Sequence, residues 1–332
     1  MGILNKVAAA GAIVSVLGIS AAVDAADFKM RLHTLVKSPH PYNDMAEFMK
    51  SELEGKSGGR ISVKIFSGAS LGKDPAVIGE MGFGTIDLMI STTNNAVKQI
   101  PEYQVFSMPY LFSGFDALMK TVAPGSAVYK YYEKAYADRK LGIKLLALGG
   151  SGTRNLSNAK RPVNKLADIK GFKMRTPPSP MISKTWKALG TLPVTIAWSE
   201  LYAGVQTGVA EALESSIPGY KGSKLYEVAP YLALTAHTIQ VNHVSISQKT
   251  WDKLPADLQK LMMDSAVAAS DLGIEKAKGY EAAFVDTLQK NNGVTVTRPD
   301  TSEFIKVLGP VQAELAKDMK LTEVLGIIKA SQ

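Results

Sequence analysis

Between residues 28 and 90 the chain switches repeatedly between two hydrophobic periods, and this restricts its fold more than any other feature. Phe28 to Thr34 alternates apolar Phe28, Met30 and Leu32 with polar Lys29, Arg31 and His33, the period of a half-buried strand. Pro39 and Pro41 break that pattern, and a helical stretch runs on through Glu54. Gly55 to Gly59 reads as a turn cluster, and Ile61 to Phe66 alternates again. A helix near Asp74 to Gly82 and a short strand over Ile86 to Ile90 complete a β-α-β-α-β order. That order implies an α/β protein with a mostly parallel sheet and helices on both faces.

Helical segments continue to about Arg139, and Ile143 to Leu148 reads as a further strand. Gly149, Gly150 and Gly152 are the first serious break, where a crossing between two lobes is expected. A second α/β set follows, with strands over Phe172 to Arg175, Leu192 to Ile196 and around Ala210 to Leu213. Its helices fall near Met181 to Leu189 and Glu200 to Gly208. Ile239 to Ile246 reads as a strand carrying the chain back. Pro255 to Asn291 is the longest helical pattern, with Leu258, Leu261, Met262, Ala266, Ala269 and Leu272 on one stripe, and Asn292-Gly293 stops it. A helix of that length is expected to run along both lobes.

The N-terminus bears on the compartment. Lys6, the apolar run Val7 to Ile19 and small residues at Ala21 to Ala26 have the anatomy of a secretory signal peptide over residues 1–25, cut before Ala26. The apolar run is too short for a good membrane span. With 0 Cys there are no disulfides, thiolate metal sites, cysteine nucleophiles or lipid-attachment points, so the core alone must hold the protein together. The remaining residues (about 300) suffice for that and usually divide into two domains. A soluble protein exported to the periplasm is expected. The net charge of +8 suits an anionic ligand. Its lysines and arginines are spread along the chain among acidic residues, which argues against nucleic acid as a partner.

Gly68-Ala69-Ser70-Leu71-Gly72 fits the G-x-S-x-G nucleophile pattern between a strand and a helix, which makes a secreted serine esterase using Ser70 the alternative reading. His237 or His243 would supply the base, yet no Gly-rich oxyanion segment precedes Ser70. The histidines, His33, His40, His237 and His243, have no metal-ligand spacing. Gly82-Phe83-Gly84 lacks the third glycine of a dinucleotide fingerprint. No catalytic residue, metal ligand or cofactor is assigned.

Signals for binding are stronger. Arg175 closes a short strand just before Pro177 and Pro178 turn the chain out of the sheet. Ligands of open α/β sheets sit beyond the C-terminal ends of strands, and an arginine there offers a bidentate fork to a carboxylate. Arg154, in the expected interlobe loop with Asn155 and Asn158, is a second candidate. The competing reading for each arginine is a surface salt bridge.

Taken together, Ser57-Gly58-Gly59-Arg60-Ile61, Leu71-Gly72, Gly84-Thr85-Ile86-Asp87 and Met108-Pro109-Tyr110-Leu111-Phe112 make an ordered series. It continues through Arg161-Pro162, Asp168 to Arg175, Leu189-Gly190, Glu200 to Gly208, Thr235-Ala236-His237 and Trp251 to Pro255. The series resembles the dicarboxylate-binding (DctP-like) solute-binding proteins of tripartite ATP-independent periplasmic (TRAP) transporters. The resemblance implies a two-lobed periplasmic binding protein fold with hinge strands and a long helix spanning both lobes. It implies lobe closure over a small organic acid and delivery to a membrane permease. Lobe I is expected over 26–150 plus about 240–279, and lobe II over 151–239 plus about 280–332.

The resemblance also assigns the ligand carboxylate to Arg175, with Arg154 as second anchor. Further pocket candidates on the corresponding loops are Lys37, Ser38, His40, Thr92, Asn94, Phe112, Trp198, Ser215 and Ser216. One stretch departs from the family pattern. Where the family commonly has Glu-Asn-Pro, this chain has Glu214-Ser215-Ser216-Ile217-Pro218, so the amide that reaches the ligand is replaced by shorter hydroxyls.

Overall fold

The structure, a computed structural model, describes residues 26–332; the expected signal peptide lies outside the described residues. Strands β1 (Phe28–Thr34), β2 (Ile61–Phe66) and β3 (Leu88–Thr92) alternate with helices α1 (Pro41–Lys56) and α2 (Asp74–Phe83). Helices α3 (Phe115–Val122) and α4 (Ala127–Asp138) lead to β4 (Ile143–Asn158). Next come β5 (Lys173–Thr176), α5 (Pro180–Ala188), β6 (Leu192–Thr195), α6 (Leu201–Gln206), β7 (Ala212–Ser216) and α7 (Ile217–Gly222). The chain returns along β8 (Tyr231–Ser247), followed by α8 (Gln248–Trp251), α9 (Ala256–Asn291), β9 (Thr295–Thr297), α10 (Ser302–Asp318) and α11 (Thr322–Ser331).

The strands form one sheet in the order β2-β1-β3-β8-β4-β7-β5-β6, with β9 paired to β8. β1 pairs in parallel with β2 and β3, and β5 with β6 and β7, as βαβ crossovers require. The long strands β4 and β8 run antiparallel between these two parallel sets. They couple the lobes at the hinge. Apolar clusters cover both faces of each set: Met30, Leu32, Val63 and Leu88 belong to one, and Phe172, Met174 and Trp186 to another.

Helix α9 is 36 residues, about 54 Å at the helical rise. Its first half buries Leu258, Met262, Ala266 and Ala269 among residues of β1 to β3, while Leu288 near its end joins the cluster of Leu213 and Tyr220. The helix spans both lobes as expected. Helix α10 places Phe304 and Leu308 in the second lobe's cluster, whereas Val324 and Ile328 of α11 pack with α3 and α4.

The glycine-rich stretch at 149–152 is not a break. Strand β4 runs straight through it, with an irregular register against β8 between Gly150 and Thr153. These glycines serve the approach of α9. A Cβ at Gly150 would sit 2.6 Å from Ile274 Cδ1 and 2.9 Å from Leu118 Cδ2, and one at Gly149 would meet Ser270 Cβ at 3.0 Å. At the irregularity Thr153 turns its N–H and hydroxyl to the Glu281 carboxylate of α9, which satisfies a donor the ladder leaves free. Gly150→Ala should therefore cost about 1–3 kcal/mol through overpacking, read as a lower urea midpoint. An unchanged midpoint would mean that α9 is not held against β4.

Other boundaries shift for local reasons. β3 starts at Leu88 because the Asp87 side chain accepts the Arg31 N–H at 2.8 Å, ending the turn there. β7 runs on to Ser216, so Glu214, Ser215 and Ser216 are strand residues. β8 begins at Tyr231, because polar Thr235, His237 and Thr238 are buried on it rather than forming a loop.

Candidate functional site

Parallel strands deliver their C-terminal ends to the line where the two lobes meet, and most of the expected binding residues gather there. A small cavity, about 30 Å³, is bordered by His40 after β1, Thr92 at the end of β3, Asn94 and Asn95 just beyond it, and Arg154 of β4. From the second lobe come Arg175 at the end of β5, Pro177, Trp198, Ser216 and Gly219, with Tyr42 and Gln240 at the hinge side. Two larger spaces, about 340 and 240 Å³, lie beyond Leu35 and Trp198, which border all three.

Arg175 is fixed by the strand that carries it. Met174 faces the apolar cluster, the next residue points the other way, and Arg175 is left 1% exposed. Its Nε donates to the Ile196 carbonyl at 2.8 Å, and the guanidinium lies 5.7 Å from the Trp198 ring centroid. Neither terminal nitrogen has a hydrogen-bond partner among the described residues. Burial lowers its pKa to about 9, with the Glu214 carboxylate opposing that shift and Arg154 adding to it. A protonated guanidinium whose terminal nitrogens are uncommitted at a cavity can offer a planar fork to an anion.

Arg154 lies in strand β4, not in a loop, and its donors are largely committed. Nε and Nη2 grip the Glu214 carboxylate, Nη2 also donates to the Glu214 carbonyl at 2.9 Å, and Nη1 donates to Gln240. Four of five guanidinium donors are thereby used. Glu214, 1% exposed, is pushed up by burial, but Arg154's charge and the donors of His237 and Arg154 outweigh this and hold it at about 2. His237 Nε2 sits 3.5 Å from the same carboxylate. The pair is thus a buried internal salt bridge whose exposed edge borders the cavity.

His40 caps α1: its Nδ1 accepts the Tyr42 N–H at 3.2 Å, which places the ring proton on Nε2. Burial lowers its pKa to about 3, reinforced by Arg154, so the ring is a neutral donor. Asn94 accepts from Ser107 at 2.7 Å, and Asn95 donates to the buried Asp74 carboxylate at 2.8 Å. Ser216 accepts the Gly219 N–H at 3.3 Å as the cap of α7. A Cβ at Gly219 would meet the Trp198 ring at 3.2 Å, so glycine lets the indole lie flat against the loop.

Not every expected residue is at this cavity. Lys37 is exposed and borders the 240 Å³ space beyond Trp198, while Ser38 is exposed and borders none of the three. Phe112 stacks on Phe106 at 6.3 Å and packs against the first lobe's cluster. Ser215 points to the opposite side of β7 from Ser216 and does not border the cavity. Tyr42, Asn95 and Gln240 were not singled out in the sequence. Tyr42 was the readable one, two residues from His40 in the same loop-to-helix run. Gln240 donates to Tyr42 Oη at 2.8 Å across 198 residues of chain, a pairing no local pattern signals.

The Gly68–Gly72 turn has Ser70 exposed on its surface. Both histidines offered as the base of the esterase reading are engaged elsewhere, His237 with Thr235 and Glu214, His243 with Ser245 at 2.8 Å. Nothing assembles a base beside that hydroxyl among the described residues.

The buried neutral histidines carry a stability consequence. Burial lowers His243 to about 4. Both His40 and His243 thus sit below the ordinary value near 6.5, so the unfolded chain takes up these protons first. Stability then falls as pH drops below about 6.5, by about 2 kcal/mol for each histidine between pH 7 and 5. Glu214 contributes the reverse case, stabilising above about pH 4.5 and losing that contribution only further down. Urea unfolding at the two pH values checks this; equal midpoints would contradict it.

Comparison with known proteins accords with this geometry. The family model of bacterial extracellular solute-binding protein, family 7, matches residues 32–318. The sialic acid-binding periplasmic protein SiaP of Vibrio cholerae is 30% identical over 316 residues, covering 95% of this chain and 95% of SiaP. The 2,3-diketo-L-gulonate-binding periplasmic protein YiaO of Escherichia coli is 29% identical over 259 residues, 77% of each chain. A TRAP periplasmic solute-binding protein from Polaromonas, bound to D-erythronate, superposes with TM-score 0.85 at 26% identity, covering 91% of this chain and 98% of that one. Another from Citrobacter koseri, with bound D-glucuronate, gives TM-score 0.82 at 26% identity over 92% and 99%. The chain therefore belongs to bacterial extracellular solute-binding protein family 7 and is a solute-binding protein of the TRAP type.

Proposed function

We propose that this protein captures a small organic acid in the periplasm by closing its lobes on it, and hands it to the membrane permease of a TRAP transporter. The observation that carries the reading is Arg175. It is a buried cation locked by one hydrogen bond to Ile196, with its two terminal nitrogens left for a ligand at the lobe junction. The carboxylate loses its water on closure, and the planar fork replaces those contacts. Arg154, through its remaining donor, His40, Thr92, Asn94, Trp198 and Ser216 complete the proposed site. Relatives bound to erythronate and glucuronate support a carboxylate. We place the lobes at 26–150 plus about 240–279 and at 151–239 plus about 280–332, with α11 packed back on the first. The closing motion is a hinge biased by a ligand that bridges both lobes.

The family is one of solute-binding proteins, which supports transport rather than catalysis as the role. A thermal-shift screen of the mature protein against dicarboxylates, sugar acids, aromatic acids and keto acids tests the reading. At least one acid class should raise the melting temperature in a concentration-dependent way. No shift with any of them would contradict it.

A further inference from the structure

We infer that helix α10 carries a built-in hinge at Gly309-Pro310, the point where it passes from the second lobe to the first. The inference rests on the lobe-closing reading and adds where this helix bends when the lobes part. The first half of α10 packs on the second lobe: Phe304 and Leu308 belong to its apolar cluster, and Val307 lies against it. The second half packs on the first lobe, whose cluster takes in Leu315 and Ala316, with Val311 against it. Gln312 also donates to the Pro109 carbonyl of the first lobe. The change of lobe therefore falls between Leu308 and Val311, and the residues in that interval are Gly309 and Pro310.

Glycine and proline are the two residues least suited to a helix interior. Pro310 has no N–H to give the Lys306 carbonyl, so the turn at the crossing lacks a hydrogen bond of the helical ladder. Gly309 adds backbone freedom next to it. Packing does not demand that glycine. It is exposed, a Cβ there would meet nothing within 4 Å, and its φ is not in the left-handed region. Gly150 is the opposite case, where a Cβ would collide with Ile274. What the pair does is weaken one turn of an otherwise continuous helix, and sharp helix bends concentrate at such positions.

The direction of the effect follows from the arrangement of the lobes. They are in contact here, since Lys73 of the first pairs with Glu200 of the second at 2.5 Å, and α10 is unbroken from Ser302 to Asp318. Buried Phe304 ties one end to one lobe, and buried Leu315 ties the other end to its neighbour. Parting the lobes then bends α10, and the bend falls where the helix resists least. Alanines at the crossing would resist it and hold the lobes together. Helix α11 supplies the control. Its Gly326 is also exposed with open space around it, but α11 lies on the first lobe alone, with Val324 and Ile328 in that cluster.

Spin labels on cysteines in place of exposed Ser70 and Thr207 report the parting by double electron–electron resonance, with no acid added. A longer-distance component should be present in the otherwise wild-type protein and should fall at least about threefold in the double variant Gly309→Ala/Pro310→Ala. Gly326→Ala should leave that component unchanged, although Gly309→Ala and Gly326→Ala should raise the melting temperature alike, by roughly 2 °C. An undiminished longer component in the folded double variant overturns the hinge and leaves capture by lobe closure standing. An equal fall in Gly326→Ala also overturns it, because the effect would then follow stability and not the crossing. A single short distance in the otherwise wild-type protein, matching lobes in contact, overturns the hinge and the lobe motion together.

Discussion

Replacing Arg175 with alanine should weaken binding of the captured acid by at least ~2 kcal/mol, about 30-fold in Kd, while the fold persists. The direction follows from desolvation. On closure the carboxylate gives up its hydration, and without the guanidinium it loses the planar, charged fork that replaces it. Arg175→Lys should fall in between. A lysine supplies the charge but neither the planar fork nor the donor that reaches the Ile196 carbonyl.

The unliganded protein should respond in the opposite sense. A cation 1% exposed, with its pKa lowered by burial to about 9, is a burden on the fold. Arg175→Met should therefore raise the melting temperature without ligand even as it abolishes the ligand-induced shift. Calorimetry and thermal melting of the same variants check both halves. Undiminished affinity in Arg175→Ala would mean that the carboxylate is held elsewhere.

The second large effect concerns stability. Glu214→Ala should destabilise the protein by about 3–5 kcal/mol, because it leaves the Arg154 guanidinium buried with no counter-charge. The surroundings offer no substitute. Gln240 supplies only an amide oxygen, and His237 is held neutral by burial. The double variant Glu214→Leu with Arg154→Met should recover most of that loss, since it removes both charges and keeps volume. Chemical unfolding of Glu214→Leu, Arg154→Met and the double gives the coupling energy directly. Additive costs would show that the two side chains act independently. In contrast, the exposed Lys73–Glu200 pair that bridges the lobes should contribute little on its own, since solvent screens both partners.

These two arginines also show what could be read from the sequence and what could not. Arg175 was legible because local rules suffice: a strand of alternating burial, then Pro177 and Pro178, puts its side chain at a sheet's C-terminal edge. Arg154 was expected near the site, but in an interlobe loop rather than in strand β4. Its commitment to Glu214, 60 residues away in the chain, depends on the antiparallel register of β4 and β7, in which Arg154 faces Ser216. Helix α9 was visible from its stripe, yet its contact with β4 was hidden in Gly149 and Gly150. In one dimension glycine reads as a turn; here it removes the Cβ that would collide with Ser270 and Ile274. The departure at Ser215-Ser216 resolved into two roles, since strand alternation sends only Ser216 to the cavity and turns Ser215 away.

Closure around an acid held by Arg175 is a motion that the absence of cysteine makes measurable. Cysteines introduced at exposed Ser70 in the first lobe and exposed Thr207 in the second can carry spin labels. Double electron–electron resonance with and without an acid identified by thermal shift then reads the interlobe distance. The expected result is a single shorter distance at saturating acid, with no such change in Arg175→Ala at the same concentration. One unchanged distance distribution in the wild-type background, with calorimetry showing the site full, would contradict capture by lobe closure.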